Sequence, residues 1–159
     1  MRDSYDIGVK LTLGLEGKGK HTKDSDDPGG ETYSGISRRY NPRWEGWAFI
    51  DKGDYASADK LVRDFYFNNY WVAAGCNEVP FPADICLFDS QVNPQNDPKW
   101  NGGGNQEIMN QDPENWEDYN LLRMIRYMRN SKPKYVKGHV FRVLKLSEQI
   151  KQLEKENEK

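Results

Sequence analysis

The chain has 159 residues, of which 36% are hydrophobic and 30% charged, and its formal net charge is −2. This length fits one domain, and the composition predicts a soluble globular protein with a core. The Lys and Arg residues are spread along the chain, which argues against a nucleic-acid binder because such proteins gather basic residues into a patch. No apolar run approaches the roughly 18 residues of a membrane-spanning helix, and residues 1–6 lead into no apolar signal-peptide segment.

The first segment, Tyr5 to Leu15, has an apolar residue at every second position. Such alternation is typical of a strand. Tyr5, Val9 and Leu13 would also share one side of a helix. The pattern alone leaves both possibilities open.

The next segment, residues 17–35, is rich in Gly, Asp, Ser and Lys and contains a Pro28-Gly29-Gly30 turn. It predicts a loop with a small hairpin over residues 31–36. A calcium-binding loop starting at Asp24 is excluded, because an EF-hand needs Glu at its twelfth position and Gly35 stands there.

Helical spacing of apolar residues dominates the rest of the chain, after an irregular stretch over residues 44–53. Helices are predicted at about 57–72, from about 83, at about 112–130 with Asp112-Pro113-Glu114 as its start, and after Pro133. The third helix is predicted to direct Leu121, Met124, Ile125 and Met128 inward. Residues beyond Ser147 are predicted to form a solvated tail.

The two cysteines, Cys76 and Cys86, lie ten residues apart, and the histidines His21 and His139 are distant from them in sequence. A metal site needs more ligands at closer spacing, so none is expected. The cysteines are predicted to be buried free thiols, and a disulfide between them stays open.

Glu16 is the best candidate for acid chemistry. It follows an apolar segment and precedes a glycine, so it can end a packed element and face a cleft. Apolar shielding raises the pKa of a carboxyl, as a general acid near neutral pH requires. The loop after it supplies Asp24, Asp26, Asp27 and Thr32, where a carboxylate could activate water or stabilise cationic charge. On spacing alone, a surface glutamate beside a solvated acidic turn is the favoured interpretation of these residues.

Four motifs in order resemble the phage-type muramidases of glycoside hydrolase family 108. The family hallmark is Glu-Gly-Gly-Tyr followed by Asp-Pro-Gly-Gly-x-Thr-x-x-Gly-Ile. The matching segments are Glu16 to Gly19, Asp27 to Ile36, Tyr70-Trp71 and Phe88 to Asn93. Lys18 and Gly19 depart from the hallmark.

The C-terminal part is similar to a small peptidoglycan-binding region that often ends these proteins. Arg123 to Tyr127 and Lys134 to Arg142 occupy its two motifs, with His139 in place of a tryptophan. The implied organisation is a muramidase core over residues 1–100 and a C-terminal helical region over residues 101–159, packed on the core as one domain.

The resemblance implies a mainly α, lysozyme-like α+β fold in which a helical bundle and a small β-hairpin flank a substrate cleft. It also implies that the segment ending at Leu15 is a helix. The implied catalytic residues are Glu16 as general acid, with Asp27 and Thr32. Because the loop is two residues longer than the family pattern, Asp24 is an alternative to Asp27.

Substrate-binding roles are predicted for Asp24, Tyr33, Asp89 and Asn93. Tyr33 could line the sugar groove. Asp89 and Asn93 lie four residues apart on one helix side, where they could bind N-acetyl groups or hold the loop that contains Thr32.

The implied function is hydrolysis of β-1,4 bonds between N-acetylmuramic acid and N-acetylglucosamine in bacterial peptidoglycan, by a monomer without metal or organic cofactor. Neither nucleic acid nor membrane is an expected partner. We expect a phage-encoded protein that is made in the cytoplasm and acts on the cell wall, either after its release or as part of a virion. The alternative is a non-catalytic peptidoglycan-binding or assembly module on the same fold.

Overall fold

The computed structural model describes residues 2–15, 21–23, 29–93 and 103–157. These residues form seven α-helices, a short π-helix, a 3-10 turn and a three-stranded antiparallel sheet, which confirms the predicted mainly α, α+β fold. The helices are α1 Arg2–Leu15, α2 Gly46–Ile50, α3 Tyr55–Tyr66, α4 Ala83–Val92, α5 Gly103–Met109, α6 Trp116–Asn130 and α7 Pro133–Asn157. The strands are β1 His21–Lys23, β2 Glu31–Tyr33 and β3 Ile36–Ser37.

Helix α1 resolves the ambiguous first segment in favour of a helix. Its buried positions include Tyr5, Gly8, Val9 and Thr12, which are spaced by three and four residues. A Cβ at Gly8 would lie 3.4 Å from the ring atoms of Phe88. The absence of a side chain there brings α1 close to α4, and this packing decides between the two periodicities.

The predicted hairpin is confirmed, and β1 adds a third strand to it. Tyr33 pairs with Ile36 across the turn, and His21 pairs with Tyr33 on the other side. Gly35 has a φ of 82°, a left-handed conformation that glycine adopts without a steric penalty. The hydroxyl of Tyr66 donates to the Ser34 carbonyl at 2.9 Å and so ties the turn to α3.

The predicted helix over residues 57–72 is confirmed, but its last turn is a π-helix, Phe67–Trp71. The wider π turn changes which residues face inward. Trp71 is therefore 1% exposed, whereas the next residue, Val72, is 46% exposed. The stretch predicted to be irregular contains the short helix α2, which buries Trp47 and Ile50.

Helix α4 is the central element of the core, and its predicted start near Ala83 is confirmed. Ile85 and Phe88 are fully buried. Both cysteines are buried free thiols, as predicted. Burial raises the pKa of Cys76 and of Cys86 to about 12, so both stay protonated at neutral pH.

Helix α6 starts later and faces the other way from the prediction. Asn115 caps it by accepting a hydrogen bond from the Asp118 backbone, whereas Asp112 lies in a left-handed turn with φ 54°. Exposed fractions are 51% for Leu121, 39% for Ile125 and 64% for Met128, so their predicted inward placement is wrong. The helix buries Trp116, Tyr119, Asn120, Arg123, Arg126 and Tyr127 instead. Polar partners for the arginines inside the protein make this orientation possible.

Helix α7 continues to Asn157, so the residues beyond Ser147 are helical and not a frayed tail, although most of residues 151–157 are exposed, as predicted. Ile150 is fully buried and belongs to the same hydrophobic cluster as Tyr5 and Phe88. Asn120 donates to the Ser147 hydroxyl at 3.0 Å and joins α6 to α7. The C-terminal helices thus share one core with the rest of the described chain.

None of the helices in the described ranges is both long enough and apolar enough to cross a lipid bilayer.

Replacing Ile150 by Ala is expected to lower the free energy of unfolding by about 2–5 kcal/mol, because it leaves a cavity in the shared core. The matched control is Leu144→Ala on the same helix, where the side chain is 46% exposed and little stability is lost. Urea unfolding of both variants measures the difference. Equal stabilities would show that α7 beyond Ser147 does not pack on the core.

Candidate active site

The strand register divides the sheet into two faces with different chemistry. Thr22 pairs with Thr32, and Thr32 pairs with Ser37, so three hydroxyl-bearing residues lie in a row across the strands. The two side chains of a cross-strand pair project from the same face of the sheet. Thr22 is exposed, and Thr32 and Ser37 are partly buried. The Thr32 hydroxyl donates to the Gly30 carbonyl at 3.3 Å. We refer to this side, defined by Thr22, Thr32 and Ser37, as the hydroxyl face.

The opposite face of the sheet carries Tyr33, whose side chain is fully buried. Its hydroxyl donates to the Asp59 carboxylate at 2.8 Å, which joins β2 to α3. Tyr33 stacks on Tyr55 with ring centroids 5.9 Å apart. Its predicted role in lining the sugar groove stays a prediction, and in this structure the ring supports the hairpin from behind.

Glu31 lies on the Tyr33 face and gathers positive partners. It accepts from His21 at 2.9 Å and from Arg38 at 2.6 Å, and Lys23 lies 3.3 Å away. Partial burial opposes ionisation, but the three partners outweigh it and lower the pKa of Glu31 to about 2. This ion cluster ties β1, β2 and the segment after β3 together.

The described end of α1 is held by an arginine from α7. Arg142 donates to the Thr12 carbonyl at 3.4 Å and to the Asp89 carboxylate at 2.7 Å. The last carbonyls of a helix lack helical partners, and a basic side chain satisfies one of them. Residue 16 follows Thr12 by four positions, so this contact fixes the chain one turn before Glu16.

Asp89 lies between two arginines in the interior. Its carboxylate is fully buried and contacts Arg123 at 2.8 Å as well as Arg142. Burial alone would raise the pKa of Asp89, but the positive charges of Arg123 and Arg142 outweigh it and hold the pKa below its ordinary value. We call Asp89, Arg123 and Arg142 the ion triplet. A sugar N-acetyl group has no access to Asp89 here, and the predicted substrate-binding role stays a prediction.

Asn93 follows α4, and its carbonyl accepts from the Tyr127 hydroxyl at 3.2 Å. Tyr127 in turn accepts from Arg123 at 3.0 Å. Asn93 also lines a cavity of about 390 Å³ together with His139 and Arg142. Asn93 thus borders an open cavity beside α7, and its predicted substrate-binding role stays a prediction.

Three predicted site residues, Glu16, Asp24 and Asp27, lie outside the described residues. Among the predicted residues that are described, Thr32 lies on the hydroxyl face, Tyr33 on the opposite face, and Asp89 and Asn93 beside α7. The structure thus connects Asp89 and Asn93 through Arg123, and separates Thr32 from Tyr33.

Sequence reasoning missed Arg123 and Arg142 as site components. Arg123 and Tyr127 lie four residues apart, a spacing that places two side chains on one face of a helix. This spacing is visible in the sequence and could have indicated that the two residues act together. The pairing of Thr22 and Ser37 with Thr32 depends on strand register, which the sequence does not give. Within the described ranges, no group of three or more His, Cys, Asp or Glu side chains could hold a metal ion.

Comparison with known proteins adds one match. The family model for glycosyl hydrolase 108 covers residues 9–94, which is just over half of the 159 residues. The chain belongs to glycosyl hydrolase family 108. No curated protein and no solved structure matches it at a significant level.

Family membership makes the chain a glycoside hydrolase and implies a carbohydrate substrate. The matched range includes Glu16, Asp27 and Thr32 and extends through Asp89 to the end of α4. Helices α6 and α7 lie outside it, although they supply the two arginines that hold Asp89. The family segment and the C-terminal helices therefore meet at the ion triplet.

Asp89→Asn is expected to lower the free energy of unfolding by about 3–5 kcal/mol, because it leaves buried arginine charge unpaired. Since the folded-state pKa of Asp89 is depressed, its stabilising contribution is complete above the ordinary carboxyl pKa. The contribution is lost as pH falls through the folded-state pKa, so the two proteins should converge in stability in acid. Chemical unfolding at several pH values measures this.

The matched control is Asp6→Asn, which breaks the half-exposed Asp6–Arg63 ion pair between α1 and α3. Ion pairs that are exposed to solvent contribute little to the free energy of unfolding, so this variant should be nearly as stable as the unaltered protein. Equal losses in the two variants would contradict a special role for the ion triplet.

Proposed function

We propose that the protein is an N-acetylmuramidase that hydrolyses the β-1,4 bond between N-acetylmuramic acid and N-acetylglucosamine in bacterial peptidoglycan. Glu16 is the general acid that protonates the glycosidic oxygen. The observation that carries this proposal is the anchoring of α1 by Arg142 at Thr12, four residues before Glu16, in a chain that belongs to a glycoside hydrolase family. A general acid must be held in a fixed position relative to the bond that it protonates.

The place of Glu16 in the chain suits this chemistry. It directly follows Leu15, the last residue of α1, which is packed against α4 and α7. Negative charge at the C-terminal end of a helix is disfavoured by the helix dipole. This effect supports a raised carboxyl pKa, and a raised pKa keeps the proton available near neutral pH.

The second group in the reaction comes from the loop before β2. Asp27 assists water or stabilises the developing oxocarbenium charge, with Asp24 as the alternative because of the longer loop. The Thr32 hydroxyl positions that water. The partly open hydroxyl face supports this role, since it leaves Thr32 accessible from the side that Tyr33 does not occupy.

Among the remaining predicted binding residues, one contacts substrate directly and two hold other residues in place. Asn93 contacts substrate at the cavity beside His139, and Asp89 acts through Arg142 as a positioning residue. Tyr33 holds Thr32 in place from the buried face. We also propose that the C-terminal helical region contributes to wall binding through this same cavity, whose rim includes Phe141 and Lys145.

The protein acts as a monomer on peptidoglycan and needs no cofactor under this proposal. The resemblance to phage-type muramidases suggests a protein that reaches the wall after release from the cytoplasm or as part of a virion.

Release of reducing ends from purified peptidoglycan tests the proposal. Glu16→Gln keeps the size of the side chain and removes the acid, so the rate should fall by about a hundredfold or more. The matched control is Glu114→Gln, an exposed glutamate in the segment before α6, which should keep full activity.

Equal activity of Glu16→Gln and the unaltered protein would overturn the assignment of the acid. If neither protein releases reducing ends but both sediment with cell walls, the non-catalytic binding-module alternative replaces the proposal. If neither one hydrolyses or binds walls, both functions are excluded.

A further inference from the structure

A second concave surface lies on the side of the sheet away from Thr32. Two adjoining cavities, of about 340 and 270 Å³, share Arg43, Trp44 and Phe65. We call this surface the Trp44 groove, and it is defined by Tyr40, Arg43, Trp44, Phe65, Asn68 and Asn69. Tyr40 at one end is 69% exposed, whereas Trp44 and Phe65 are half-buried. Aromatic rings thus alternate with polar side chains along an open groove.

The ring of Trp44 is held rigidly. It stacks on Tyr33 with centroids 6.4 Å apart and meets Trp47 edge-on at 5.1 Å. A Cβ at Gly46 would lie 2.3 Å from the Trp44 ring, so only glycine at that position admits the ring. A fixed aromatic side chain loses little conformational entropy when a ligand binds.

The π-helix provides the polar side of the groove. Asn68 and Asn69 lie on it and are exposed. The Asn69 amide donates to the Phe65 carbonyl at 2.8 Å, which orients its side chain along the helix. Single π turns inside helices occur often at functional sites. Two amide side chains offer donors and acceptors that match the hydroxyl and acetamido groups of an N-acetylated sugar.

The charges around the groove favour a neutral ligand. Arg43 contributes one positive charge, and Glu45 and Asp64 contribute two negative charges, which leaves a net charge of −1 among the lining residues. Such a surface offers no net positive charge to the carboxylates of peptide stems. A neutral stretch of sugar is the better fit for rings and amides.

The groove is separate from the hydroxyl face. Successive residues of a strand point to opposite faces, so Thr32 and Tyr33 face opposite sides of β2. Trp44 packs on Tyr33 and therefore lies behind the strand that carries Thr32. A ligand in the Trp44 groove cannot also occupy the hydroxyl face at the same point of the chain.

We propose that the Trp44 groove is a second glycan-binding site that takes a neutral N-acetylglucosamine unit of a glycan chain. The identity of the natural ligand rests on the proposed function, because N-acetylglucosamine is every second sugar of a peptidoglycan strand. A second site on the same polymer raises the effective concentration of substrate at the catalytic site without taking part in the reaction.

An NMR titration tests the site with an N-acetylglucosamine oligomer of about six sugars as the probe. The full chain with Glu16→Gln is used, so that the probe stays intact. The indole resonance of Trp44 and the side-chain amides of Asn68 and Asn69 should shift as the probe is added. Absence of shifts at all three positions would overturn the proposal, whether or not Thr32 shifts.

Wall binding provides the second measurement. Asn68→Ala and Tyr40→Ala should each weaken sedimentation with peptidoglycan by about tenfold while soluble fragments are hydrolysed at the unaltered rate. Both residues are exposed, so the variants should keep their far-ultraviolet circular dichroism and therefore their helical content. The matched control is Leu121→Ala, which removes a 51% exposed side chain from α6, outside both the groove and the cavity beside His139. Equal wall affinity of all three variants would also overturn the proposal.

These outcomes separate this inference from the proposed function. Hydrolysis of walls with an unresponsive groove overturns only the second site. Shifts at Trp44 that Asn68→Ala abolishes support the site even if the protein releases no reducing ends.

Discussion

The fold depends on one buried interaction, in which the carboxylate of Asp89 lies between the guanidinium groups of Arg123 and Arg142. A buried carboxylate is costly unless it is paired, and two arginines are costly without it. The interaction therefore stabilises the structure only when α4, α6 and α7 come together. Arg142 extends it to the Thr12 carbonyl at the end of α1. Four helices from the two ends and the middle of the chain thus have one defined arrangement near the position of the candidate acid.

The proposed active site has two supports, the helix before Glu16 and the hairpin that carries Thr32. The helix before Glu16 is anchored by the ion triplet, and the hairpin that carries Thr32 is anchored by Tyr33 and by the ion cluster around Glu31. Pre-organised supports of this kind lower the cost of aligning catalytic groups. The same support places aromatic rings behind the hairpin, and there the Trp44 groove opens toward solvent. One sheet thus separates a hydroxyl face from an aromatic one.

Sequence patterns predicted the parts of the fold that local physics determines. The hairpin follows from turn chemistry, and α4 from helical spacing of large apolar residues. The family motifs around Glu16 and Thr32 located the candidate site, and the family model match agrees with them.

The predictions failed where contacts with residues distant in sequence determine which side chains are buried. In α6, apolar spacing favoured Leu121 and Met128 as inward residues. The helix instead turns Arg123 inward because Asp89 offers it a buried partner. Ile150 joined the core because α6 packs along α7 as far as Lys151, which pairs with Glu117 in the first turn of α6, and a charged sequence does not reveal this contact. The strand register that aligns Thr22 with Thr32 is equally non-local.

The most direct test of the account is the identity of the sugar at the newly formed reducing end. Purified peptidoglycan is digested with the protein, reduced with borohydride and hydrolysed, and the sugar alcohols are identified by mass spectrometry. A muramidase leaves N-acetylmuramic acid at the reducing end, so the account predicts its reduced form, appearing only in digested samples. Formation of the reduced form of N-acetylglucosamine instead would contradict the proposed bond specificity.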